Sequence, residues 1–126
     1  MSKKKLTWVD AAKNRIYIRF EGFMTVEQAL KLKQAYKDAI AKVAPGFTTL
    51  TYSADYVPGS PEVRQIVGEM TQMAAEAGLK KVARVVGKTP LGGAQINRLA
   101  KERASYPAKH FRTELEAENY LDSDDD

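Results

Sequence analysis

The segment Gly46 to Pro61, GFTTLTYSADYVPGSP, decides how the rest of the chain is read. Phe47 through Tyr52 are dominated by β-branched and aromatic residues, which suit a pleated, half-buried backbone, so they predict a strand. Ser53-Ala54-Asp55 reads as a polar turn closing that strand. Ser60-Pro61 reads as a helix start, with Ser60 as N-cap and Pro61 at the first helical position, where a missing N–H costs nothing. Strand, loop and helix start in that order define the unit of an open α/β sheet, whose ligands and partners gather beyond the carboxyl ends of the strands. The side chains placed there that are suited to binding are Ser53, Asp55, Tyr56 and Ser60, and they form the candidate partner- or ligand-binding set.

Towards the N-terminus, Leu6–Val9 and Arg15–Phe20 predict a β-hairpin. In the second strand Ile16, Ile18 and Phe20 alternate with Arg15, Tyr17 and Arg19, so one face meets the core and the other is expected to meet water or a partner, including a second copy of the chain. Trp8, the only tryptophan, is read as a packing residue. Thr25 with Gln28 makes a capping box for a helix carrying Ala29, Leu32, Tyr36, Ile40 and Val43 on one face. Ala44-Pro45-Gly46 ends it.

Towards the C-terminus, Val63, Ile66, Val67, Met70, Met73, Ala74 and Ala77 form a second helical stripe closed by Gly78, with the two methionines read as core filling. Lys81–Gly87 predicts an interior parallel strand. Arg84 interrupts it and is expected near a strand end, a carboxylate or an incompletely covered face. A helix is expected over Ala94–Ala104, a short strand over Lys109–Arg112, and a last helix capped by Thr113 and carrying Leu115, Tyr120 and Leu121. The order is ββαβαβαβα in a single domain spanning residues 1–126, with a basic tail at 1–5 and an acidic tail at 122–126 expected to be disordered.

The totals agree with one domain: 126 residues, 44% of them hydrophobic. With no cysteine, disulfides and thiolate metal sites are excluded. No run approaches the roughly 20 apolar residues of a bilayer span, and the basic start lacks the apolar stretch of a secretory signal, so a cytoplasmic protein without membrane insertion is expected. The net charge of +4 is unevenly spread. Lys80–Arg112 holds nine basic residues against Glu102 alone, whereas Thr113 onward holds seven acids and no base. The basic stretch lacks aromatic interleaving and any known reading helix, so nucleic acid is not an expected partner, and the acidic end is free to fold over it.

Several residues resemble a known pattern. Asn14 to Phe20 with Glu21-Gly22 and Met24-Thr25, the central strand, the passage Ala77-Gly78-Leu79-Lys80-Lys81-Val82-Ala83, and the ending Phe111, Thr113, Glu116, Ala117, Tyr120 and Leu121 together resemble the SpoIIAA-like family of the STAS-like fold, from about Leu6 to Leu121. The resemblance implies a mixed sheet flanked by helices. It also implies a regulatory role like that of anti-sigma-factor antagonists, which bind a protein kinase and are switched by phosphorylation of a serine after the central strand. Only Ser60 stands where that hydroxyl would be. The relatives' Asp-Ser-small-Gly signature is absent, since Tyr56-Val57-Pro58-Gly59 intervenes and Pro61 follows directly, so Ser60 is read first as a helix cap and second as a modification site.

Nothing else in the chain assembles a catalytic set. Ser53 and Asp55 lack a base and an oxyanion donor, and His110 is flanked by Lys109 and Arg112 with no orienting carboxylate in sequence, so it reads as a surface or packing residue. Gly92-Gly93 ahead of Arg98 lacks both phosphate-loop spacings and reads as a helix entry. A non-enzymatic interaction domain with a protein partner, needing no metal or cofactor, is therefore expected. The alternative is a carrier of a small apolar ligand or lipid, with a pocket lined by Phe23, Met24, Tyr52, Tyr56 and Met70.

Overall fold

The computed structural model describes residues 7–57, 60–85 and 108–123, with the backbone alone at 21–23, 54–57 and 108. Its elements are β1 (Thr7–Asp10), β2 (Arg15–Phe23), α1 (Val26–Ile40), β3 (Thr48–Val57), α2 (Pro61–Glu76), β4 (Lys81–Val85), β5 (Ala108–Phe111) and α3 (Glu114–Asp122). The helix expected over 94–104 and the residues 1–5 and 124–126 lie outside the described residues.

The five strands stand in the order β1-β2-β3-β4-β5. The β1–β2 hairpin is antiparallel and every later pairing is parallel. Asn14 turns the hairpin at φ 52, a left-handed conformation that asparagine tolerates. Its side chain also exchanges hydrogen bonds with the carbonyl and amide of Ala44, at 3.1 and 2.9 Å, which ties the turn to the end of α1.

Because the two βαβ crossovers progress in one direction across the sheet, right-handed connections place α1 and α2 on the same face. There Ile16, Ile18 and Phe20 of β2 pack with Leu32, Tyr36, Val63 and Met70, while Met73 packs against the rim. On the opposite face Tyr17, Leu50 and Ala83 meet Ala117 and Leu121 of α3. The alternation in β2 thus feeds two cores. The helix ends follow the chemistry of the sequence. Thr25 and Gln28 form both halves of a capping box. Gly78, at φ 100, completes a Schellman motif in which the amides of Leu79 and Gly78 donate to the carbonyls of Ala74 and Ala75.

Three expectations are corrected. The turn expected at Ser53-Ala54-Asp55 is strand, because β2 itself runs on to Phe23 and its backbone pairs Glu21, Gly22 and Phe23 with Asp55, Tyr56 and Val57. One extra residue of β3 is absorbed in a register shift between Arg19 and Glu21, and the ladder overrides local turn preference. The face of Arg15 and Tyr17, expected to meet water or a second copy, lies under α3, with these residues 2% and 6% exposed. Asp122, expected in the acidic tail, closes α3, and Ser123 is its C-cap.

Candidate functional site

Beyond the last described β3–β4 pair, Tyr52 with Val85, β2 and β3 go on pairing as a ribbon, Glu21–Phe23 against Asp55–Val57. The ribbon lies at the carboxyl end of the parallel strands, ahead of α2 in the chain. Asp55 and Tyr56 therefore sit on a strand rather than in a loop. The register shift between Arg19 and Glu21 that precedes the ribbon is a bulge, a feature common at sheet edges and next to functional sites.

Ser60 is the N-cap of α2: its Oγ accepts from the amide of Val63 at 3.3 Å, and Pro61 occupies the first turn. Glu62 sits in that same turn. Its carboxyl is held below the usual range by its own backbone N–H, and further by the Ser60 hydroxyl. The helix end thus already holds one anion, which explains why a second negative charge at Ser60 is not needed for capping. Ser53 is placed differently. It is fully buried and its hydroxyl donates to the carbonyl of Val85 at 3.4 Å, finishing the β3–β4 contact. Ser53 is thus a structural neighbour of the ribbon, and no described contact joins it to Ser60.

Of the residues named for a carrier pocket, Met24 and Met70 lie apart from Tyr52, and the side chains of Phe23 and Tyr56 lie outside the described residues. Met24 and Met70 are buried in the α1/α2 core. Tyr52 lies on the other face and donates to Glu114 at 2.6 Å. Between sheet and helices a cavity of about 30 Å³ is lined by Tyr36, Thr49, Thr51, Met70 and Arg84. That is room for a water or two, against the several hundred Å³ of an organic ligand site. Arg84, the penultimate residue of β4, is 1% exposed beside this cavity, so its face is covered after all. His110 is exposed on β5, as expected. Among the described residues no group of three or more His, Cys, Asp or Glu side chains is placed to hold a metal.

What sequence reasoning missed is the polar seal beneath α3. Arg15 bonds Glu118, and also Asp122 at 2.8 Å and the Thr48 hydroxyl at 2.9 Å. The Tyr17 hydroxyl donates to Glu118 at 2.8 Å. Burial of the phenol, then this bond to a carboxylate, pushes Tyr17 up to about 12, and burial with the Glu114 bond raises Tyr52 as well. Burial works against the Arg15 charge, but its bonds to Asp122, Tyr17 and Glu118 outweigh it and raise its pKa. Beside this seal Trp8 stacks on Tyr17 with centroids 5.3 Å apart, and the Arg19 guanidinium lies 4.7 Å from the Tyr52 ring. The one legible signal was the acidic spacing Glu114, Glu118, Asp122, a single helix face at four-residue intervals.

No family model matches the chain, and no curated protein matches its sequence. Its structure is similar to the crystal structure of an uncharacterised protein from Shewanella loihica PV-4, of the DUF3478 family with a SpoIIAA-like fold, at a TM-score of 0.73 and 16% identity. The match covers 96% of this chain and 98% of that one. The chain accordingly has a SpoIIAA-like fold, a mixed sheet flanked by helices on both faces.

Proposed function

We propose that the protein is a non-catalytic interaction domain that binds a protein partner through the β2–β3 ribbon and the start of α2. The observation that carries this reading is the ribbon itself, strand backbone that goes on pairing past the last described β3–β4 pair and precedes the Ser60 helix start in the chain. The Ser60 hydroxyl serves as a helix cap and the Ser53 hydroxyl bonds the Val85 carbonyl, which favours binding over chemistry at these serines. In this reading Ser60 is a cap at the rim of the docking surface, and a regulatory role of the anti-sigma-factor-antagonist kind would act through that surface. The water-sized cavity weighs against the carrier.

Native mass spectrometry of the protein purified gently from its host tests the proposal. The expected spectrum holds a stoichiometric protein complex that is lost in an Asp55→Lys, Tyr56→Ala variant of unchanged circular dichroism. A bound organic mass without a protein partner, or a complex indifferent to those substitutions, would overturn it.

A further inference from the structure

The β1 edge of the described sheet carries a second surface. β1 pairs with β2 on one side, and no other strand pairs with it among the described residues. All four of its residues are half-buried. Next to it runs a groove of about 570 Å³, walled by Trp8 and Val9 of β1 and by Ala35, Asp38, Ala39 and Lys42 along α1 and its end. An edge strand with unpaired backbone groups is a template for another strand, and the small side chains of Ala35 and Ala39 let a second backbone approach.

The charges along the groove say which occupant fits. Asp38 and Lys42 are both exposed and stand one helical turn apart on the same wall. Asp38 accepts from Gln34 at 2.9 Å, which holds its carboxylate at the helix surface. A two-fold axis that sets two α1 helices antiparallel places Asp38 of each copy against Lys42 of the other, so the wall is complementary to itself. A lone extended peptide would pair with the edge but leave this wall unanswered. We infer that a second copy of the chain occupies the groove, β1 pairing with β1 and α1 facing α1, to give one continuous sheet across a symmetric dimer. This surface is separate from the ribbon and leaves it open to a partner.

Sedimentation equilibrium over a concentration series tests the inference with three proteins. The wild type is expected to be dimeric, and Asp38→Lys and Lys42→Asp, each of which turns two facing attractions into repulsions, are each expected to raise the dissociation constant by about tenfold or more. Mixed together, the two variants restore both opposite-charge pairs and form a mixed dimer. Both sites are exposed, so melting curves should match the wild type. A wild type that stays monomeric throughout, a dimer indifferent to either reversal, or variants that fail to associate when mixed would each overturn the inference.

Discussion

The ammonium of Lys81 lies 2.7 Å from the carbonyl of Tyr120 and caps the last turn of α3 from beneath. A second bond of 2.7 Å to the Ser123 carbonyl completes the cap, and the Tyr120 ring covers the charge at 4.5 Å. Lys81 is fully buried. A cation at a helix C-terminus meets both the orphan carbonyls and the negative end of the macrodipole, so a lysine that begins a parallel strand serves as the cap of a helix far along the chain. Replacement by methionine keeps the stem and deletes the charge. Lys81→Met is expected to lower stability by about 2 kcal/mol, from charged hydrogen bonds lost less the desolvation regained. Urea denaturation measures the loss, and hydrogen exchange should rise first at 114–123.

Arg15 and Glu118 form the second anchor of α3. Glu118→Gln leaves a guanidinium that is almost wholly buried with weaker partners, at an expected cost of about 2 kcal/mol. Arg15→Met is expected to cost a similar amount, and the double variant less than the sum, with a coupling of roughly 1–2 kcal/mol in a double-mutant cycle. Additive effects would mean that the pair is not a functional contact.

The phenols of Tyr17 and Tyr52 set an alkaline limit. The folded pKa of Tyr17, about 12, exceeds the unfolded value near 10, so the stability it supplies is complete below pH about 10 and is lost as pH rises towards 12. Tyr52 shifts in the same direction. In a phenolate absorbance titration Tyr17 and Tyr52 should both ionise late, and Tyr17→Phe should remove one late step.

Gly78 permits no side chain. Its φ of 100 is unfavourable to any L residue, and a Cβ would sit 3.0 Å from Cβ of Pro45. Gly78→Ala is expected to cost about 2 kcal/mol, measured by thermal unfolding.

Ser60→Ala removes an N-cap and is expected to cost about 1 kcal/mol, whereas Ser60→Asp, an equally good cap, should stay within a few tenths of wild type. Thermal melts separate the two. A variant of full stability in both cases would remove the capping role.

The features legible in the sequence are those whose causes are local. Thr25 and Gln28, Ser60 and Pro61, Thr113 and Gly78 each bond within a few residues of themselves, so their positions could be read from spacing. The alternation of Ile16, Ile18 and Phe20 likewise named one core face correctly. The rest depended on distant partners. Ser53-Ala54-Asp55 carries turn residues, and only the continuation of β2 makes it strand. Arg15 was expected on an outward face, and Lys81 drew no role, because the groups that hold them, Glu118, Asp122 and the Tyr120 carbonyl, lie at the other end of the chain. For the candidate site, Ser60 was legible as a cap, Asp55 and Tyr56 were found at the right end of the sheet but on the wrong kind of element, and the inward turn of the Ser53 hydroxyl followed from strand geometry that spacing does not reveal.

The central claim is that the β2–β3 ribbon is the docking surface, and site-specific photo-crosslinking in the host tests it most directly. A photoreactive amino acid at position 56 is compared with one at position 76, where exposed Glu76 closes α2 at the end opposite the Ser60 cap. The account predicts one discrete protein adduct from position 56 and none from position 76. Adducts of equal yield from both positions, or from 76 alone, would contradict it.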